Sequence, residues 1–346
     1  MIIIPFINIS FEIFVILLVS FISVFLIMPV WIRKMKEVGI VGKDMNKYDK
    51  PKVAEMGGVP VVMAFVFSLL FYIGVLTFYY GNQSNVIPAL ACISTLLIIA
   101  VIGMIDDILG WKVGLRQKHK VLLTIPAAFP MMFINAGHST IFLPFFGELD
   151  LGIIYPLIIV PLGIIGAANG FNMLAGYNGL EAGMGVILLS TLGVIAYLSG
   201  NGFVSLIAFV MVFALLAFLK YNWYPAKVFP GDTLTYSVGA VIAIVAILGN
   251  MERVAVMLFS LYFLDFILPL RSKFKTEAFG NVQKDNTINM PYGDSLKGVY
   301  DVTHLSIFLL KRIKRKVYEK DIVVFILGVQ IIISVLSFLI WYYKIL

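Results

Sequence analysis

The sequence predicts an all-α polytopic membrane protein with about ten transmembrane helices, and three observations carry that prediction. Hydrophobic residues make up 61% of the chain and charged residues only 13%, with a mean hydropathy of +0.99. A soluble domain is nearer half apolar and a quarter charged. Apolar runs of membrane-crossing length recur from one end of the chain to the other, and the charges collect in alternate connections between them. Too little polar sequence remains for a separate soluble domain, so 1–346 reads as one integral-membrane unit. The net charge of +7 is read first as an orientation signal and not as a nucleic-acid footprint. Cys92 is the only cysteine, which excludes an internal disulfide.

The apolar runs fall at 6–32, 58–80, 86–105, 121–136, 151–168, 182–199, 203–219, 234–249, 254–270 and 322–343. The first lacks the basic start and short apolar core of a cleavable signal, so it is expected to remain as a span. The fourth is short and contains Pro126 and Pro130, which predict a kink. Of the 26 lysines and arginines, all except Arg253 and Lys344 lie in odd-numbered connections. Basic residues stay on the cytosolic side, so the odd connections are expected in the cytosol and both termini outside. On this reading the cytosolic loops 33–57, 106–120, 169–181, 220–233 and 271–320 form one functional face. In the last of them, Leu296, Val299, Tyr300, Thr303, Ile307, Leu310, Ile313 and Val317 recur at helical spacing beside Lys311, Arg312, Lys314, Arg315 and Lys316. This predicts a basic amphipathic helix on the anionic inner leaflet, either as an anchor or with His304 in a further role.

The candidate chemistry collects on that face. Asp106 and Asp107 close the third run, where carboxylates are costly to desolvate and their mutual repulsion calls for a cation. On a helix, neighbouring side chains point about 100° apart, so the two are not equivalent towards one ion. Arg116, Lys118, His119 and Lys120 follow, as an orientation signal or as a grip on a polyanion. Asn172 offers an amide oxygen suited to a hard divalent ion, while Asn169-Gly170 and Asn178-Gly179 also read as turns. Asp232 follows Pro230 and Gly231; it is a helix cap or a metal ligand, with Gly231 letting a phosphate approach the backbone. Glu55 either receives a sugar hydroxyl or favours the positive end of the second span. Nucleotide-binding glycine motifs, Cys/His metal patterns and serine-nucleophile signatures are absent from the sequence.

Five segments carry a resemblance: 51–58, 103–107 (Gly-Met-Ile-Asp-Asp), 118–120 (Lys-His-Lys), 172–183 (Asn-Met-Leu-Ala-Gly-Tyr-Asn-Gly-Leu-Glu-Ala-Gly) and 229–233 (Phe-Pro-Gly-Asp-Thr). With them the chain resembles the polyprenyl-phosphate N-acetylhexosamine-1-phosphate transferases, and looks closest to the eukaryotic and archaeal branch that begins N-glycan assembly on dolichyl phosphate. The likeness covers nearly the whole chain. It departs from the eukaryotic pattern in four extra residues between the paired acids and Lys120, and at 270–275, where their His/Arg/Pro-rich run is not matched.

The resemblance implies transfer of N-acetylhexosamine 1-phosphate, most readily GlcNAc 1-phosphate, from a UDP-sugar to a polyprenyl or dolichyl phosphate, with release of UMP. It implies that Asn172 and Asp232 bind Mg²⁺, or Mn²⁺ in its place. Lys120 would hold the pyrophosphate, with Asp106 and Asp107 beside the metal and acceptor phosphate; a general-base role for either stays open. Asn178 would hydrogen-bond uracil, Phe229 would stack on it, and Glu55 would lie near the sugar-nucleotide pocket. The expected setting is an archaeal plasma membrane with a cytosolic site, an outcome compatible with a homodimer. The alternative is a transporter using the same polar groups as its path, against which stands their concentration on one side.

Overall fold

The computed structural model describes residues 11–110, 117–143 and 147–343. From the N-terminus, α1 (Phe11–Val38) leads to a hairpin of β1 (Val41–Lys43) and β2 (Lys52–Ala54). Then come α2 (Gly58–Phe78), α3 (Val86–Leu109), the short α4 (Gln117–Thr124) and α5 (Phe129–Phe133). A second hairpin, β3 (Thr140–Leu143) with β4 (Gly147–Asp150), precedes α6 (Val160–Met173). The long helices α7 (Leu180–Leu198), α8 (Gly202–Asn222) and α9 (Gly231–Leu248) follow. The C-terminal part comprises α10 (Glu252–Leu258), α11 (Ser260–Leu270), a hairpin of β5 (Asn281–Val282) and β6 (Ile288–Asn289), α12 (Val302–Leu310) and α13 (Glu319–Tyr342).

Among the described residues, eight helices are long and apolar enough to cross a membrane, and α10 with α11 makes a ninth candidate, bent by 54°. The fourth predicted run is shorter than a straight span. It holds the apolar helical segment His119–Phe133, interrupted by a 3₁₀ turn at Ile125–Ala128 where Pro126 removes a backbone donor. Large apolar side chains such as Phe67, Val101, Ile108, Phe266 and Leu336 face outwards. Patches of that kind are unfavourable in water and are expected on a surface solvated by lipid.

Helix α9 is the centre of the bundle, with 83% of its most apolar window buried against 28% for α1. Small residues let its neighbours approach. A Cβ on Gly103 of α3 would meet the Thr233 backbone at 2.6 Å, and one on Gly239 would meet Ala168 Cα at 2.7 Å.

The last connection differs from the predicted surface helix. Asp301 caps α12, accepting from His304 N at 2.6 Å and Thr303 Oγ1 at 2.7 Å, so the helix starts only at Val302. Upstream, Leu296–Gly298 is a single 3₁₀ turn. Val302, His304, Ile307, Phe308 and Leu310 are buried within the protein. The basic run lies after the helix: Lys311, Lys314 and Lys316 pair with Asp294, Asp321 and Asp285 at 3.0, 2.6 and 2.9 Å.

Candidate active site

The carboxyl end of α3, the amino end of α9 and the start of α4 meet at one end of the bundle. Asp107 bonds to α9 directly: its carboxylate accepts from Asp232 N at 2.6 Å, Thr233 N at 3.1 Å and Thr233 Oγ1 at 2.6 Å. A helix amino end has unsatisfied N–H groups and a partial positive charge, so a carboxylate from another helix is well placed there. Asp107 therefore performs the capping that the sequence left open to Asp232. Gly231 makes this approach feasible: its φ is +70°, and an added Cβ would meet the Asp107 carboxylate carbon at 2.8 Å.

Asp106, one residue earlier, points elsewhere. Its Oδ2 is 2.5 Å from Lys120 Nζ, and the same ammonium is 2.7 Å from Asp232 Oδ2. One lysine thus stands between two carboxylates drawn from α3 and α9. Asn172, in the last turn of α6, joins the group through Thr235, whose hydroxyl donates to its Oδ1 at 2.6 Å. The next residue, Tyr236, is buried close to Asn172, Asp232 and Lys120.

Glu55 lies beside Gly42 and Phe229, just before α2. Burial, and then the carboxylates of Asp107, Asp232 and Glu181, push its pKa up to about 8. Phe229 is half-buried; its N–H donates to Ala54 O at 2.8 Å, and its carbonyl accepts from Gly57 N at 2.9 Å. These bonds dock the 228–230 segment on the first hairpin.

Asn178 is 4% exposed. Its Nδ2 donates to Asp44 Oδ2 at 3.0 Å and approaches Glu319 Oε2 at 3.4 Å, while its backbone N–H donates to Glu319 Oε1 at 2.8 Å. The next residue, Gly179, has φ +84°, and its N–H donates to Asn222 Oδ1 at 3.1 Å. Lys47 bridges Asp44 at 2.6 Å and Glu319 at 3.1 Å. Burial opposes its charge, yet the bond to Asp44 and the field of Glu319 outweigh that and raise its pKa.

The profile described as glycosyl transferase family 4 matches residues 89–250. A Saccharolobus solfataricus protein is 38% identical over 334 residues, covering 94% of this chain and 97% of its own length. The chain belongs to glycosyl transferase family 4. That relative is provisionally named a UDP-N-acetylglucosamine–dolichyl-phosphate N-acetylglucosaminephosphotransferase. The Saccharomyces cerevisiae enzyme of the same name is 28% identical over 287 residues, which is 69% of this chain and 62% of the yeast protein. A Bacillus subtilis relative, provisionally named an undecaprenyl-phosphate N-acetylglucosaminyl 1-phosphate transferase, is 33% identical over 242 residues, 68% of this chain and 63% of its own.

The family match spans Asp106, Asp107, Lys120, Asn172, Asn178, Phe229, Gly231 and Asp232, and leaves Glu55 outside it. The structure brings Asp106, Asp107, Lys120, Asn172 and Asp232 into one connected group, with Glu55 and Phe229 adjoining. Arg116 lies outside the described residues. Sequence reasoning missed Asp44, Lys47, Thr235, Tyr236 and Glu319. Glu319 carried a usable signal, a carboxylate at the end of a span, which was obscured because the apolar run was taken to begin at Ile322.

Proposed function

We propose that this protein transfers N-acetylglucosamine 1-phosphate from UDP-GlcNAc to a polyprenyl or dolichyl phosphate, releasing UMP and starting a lipid-linked oligosaccharide for protein N-glycosylation. The observation that carries this reading is the Asp106–Lys120–Asp232 cluster at the edge of the bundle, beside Asn172 and the capped α9. The names of the archaeal, yeast and bacterial relatives supply the substrate class.

In the reaction an oxygen of the lipid phosphate attacks the β-phosphorus of the nucleotide sugar. A new P–O–P bridge forms to the lipid, and the bond from the β-phosphorus to the UMP oxygen breaks. A phosphomonoester has a second pKa near ~6, so the acceptor is largely ionised at neutral pH and needs no proton removed. The obstacle is the approach of two anions, on the order of 4 kcal/mol per unit pair at 4 Å with an effective dielectric of 20.

Lys120 is placed to offset that repulsion and to hold a diphosphate oxygen. Asp107 fixes the amino end of α9 and therefore the position of Asp232. Asn172 and Asp232 offer an amide and a carboxylate oxygen, the hard donors that Mg²⁺ takes alongside phosphates and water. When bound, such an ion supplies charge neutralisation at the phosphates. Phe229 offers a face for the base and Glu55 an acid at the sugar side. The basic residues in the connections at this end of the bundle support a cytosolic site, in an archaeal plasma membrane.

The test is release of UMP by the purified protein from UDP-GlcNAc and a short polyprenyl phosphate, with and without Mg²⁺. Metal-dependent formation of the lipid diphosphate sugar is expected. Uptake of intact UDP-GlcNAc into liposomes without UMP formation would contradict the proposal.

A further inference from the structure

Beyond the cluster at the diphosphate, a second buried ionic group joins three parts of the chain that are far apart in sequence. Glu319 begins α13 and is 2% exposed. Its Oε1 accepts the backbone N–H of Asn178 at 2.8 Å and lies 3.4 Å from Asn46 Nδ2. Its Oε2 pairs with Lys47 at 3.1 Å and lies 3.4 Å from Asn178 Nδ2. Asn46 also donates to Gly176 O at 2.7 Å, so the 176–178 turn is held from both sides. From Gly179 the bonds continue through Asn222 to Val228 O at 3.0 Å, next to Phe229. None of the candidate diphosphate residues takes part.

We infer that Glu319 is a positioning residue for the nucleotide: it holds the 176–179 turn and the Lys47 loop in the shape that receives the uridine moiety. The inference rests on the proposed transferase function, and in particular on the nucleotide lying against Asn178 and Phe229. A buried carboxylate with four donors around it fixes its neighbours strongly: without it the Asn178 backbone N–H would be desolvated and unpaired, Asn46 would keep only Gly176 O, and Lys47 and the Asn178 side chain would keep only Asp44. Glu319 touches neither reacting phosphate, so its effect falls on binding and not on the chemical step. The carboxamide of glutamine keeps one acceptor for the Asn178 N–H. It loses the pairing with Lys47 and turns one acceptor into a donor facing Nδ2 groups.

The experiment measures steady-state UMP release and calorimetric UMP binding for wild type, Glu319→Gln and Glu319→Ala, with thermal unfolding in detergent as a folding control. Glu319→Ala is expected to raise KM for UDP-GlcNAc and the Kd for UMP together by about tenfold or more, with kcat and the KM for polyprenyl phosphate little changed. Glu319→Gln is expected to lie between it and wild type. Lys47→Met is expected to weaken UMP binding, and the Lys47→Met/Glu319→Ala double variant to be little worse than Glu319→Ala alone, because the two act through one network. Unchanged UMP affinity in a folded Glu319→Gln or Glu319→Ala variant overturns the inference. So does a loss of kcat and of both affinities that follows only the lowered melting temperature. A wild-type protein that binds UMP but makes no lipid product removes the proposed function; one that does neither removes both.

Discussion

Two places in this molecule have the same ionic design, a lysine between two carboxylates from distant elements, and differ in what surrounds it. Lys120 joins Asp106 and Asp232, and the Asp232 side chain keeps 22% of its surface exposed. Lys47 joins Asp44 and Glu319, whose side chains are 3% and 2% exposed. Both Glu319 oxygens are met by protein N–H donors, although Asn46 Oδ1 beside them has no partner among the described residues. A buried ion pair whose other bonds are satisfied acts as a joint, and one left open is available to a ligand. Under the proposed function the first serves catalysis and the second holds shape.

The comparison is broken most severely at the open pair. Asp232→Asn and Lys120→Met are each expected to lower kcat by on the order of 10²–10³-fold, with melting temperature little changed. Asn172→Ala is expected to remove the Mg²⁺ response of UMP release. An equal loss of folded protein in these variants would show that the open pair is also a joint.

Asp107 sharpens the comparison, because it lies within the open group yet has three protein donors. Asp107→Ala is expected to lower stability by about 1–2 kcal/mol through loss of the α9 cap, and activity with it. Thermal unfolding followed beside turnover checks both. Gly231→Ala is expected to act in the same direction by about 1 kcal/mol, because alanine is strained at φ +70° and its methyl displaces the Asp107 carboxylate.

A pH-dependent effect is expected at Glu55. Its folded pKa of about 8 lies above the ordinary value of 4.5. The folded state therefore holds the proton more tightly than the unfolded state, so the stabilisation is full below pH 4.5 and is lost as pH rises through 8. Glu55→Gln has no proton to lose. In EDTA, its melting temperature is expected to gain on that of wild type steadily between pH 5 and pH 8. A constant difference across that range would place Glu55 in a wetter position.

Much of this was legible before the fold was known. Hydropathy marked the spans because lipid tolerates few alternatives to an apolar helix. Asp106, Asp107, Lys120 and Asp232 stood out because charges at span ends are costly, and the structure joins these residues. The roles within the group were not legible: that Asp107 caps α9 depends on the α3–α9 approach across Gly103 and Gly231. The surface helix expected in the last connection failed for a local reason. Helical spacing persists through Gly298 and Asp301, but the Asp301 cap restarts the chain there, and Val299, Ile307, Leu310 and Val317 bury against protein while Leu296 and Ile313 stay exposed. Glu319 was passed over because hydropathy places the start of a span at its first apolar residue, whereas α13 begins one turn earlier with Glu319 at its amino end.

The most direct test of the open pair is an Mg²⁺ titration of UMP release from UDP-GlcNAc and a short polyprenyl phosphate, by purified wild type and Asp232→Asn side by side. Turnover rising with Mg²⁺ in wild type and absent from a folded Asp232→Asn is the predicted result. Equal, saturable turnover by the two proteins would contradict it.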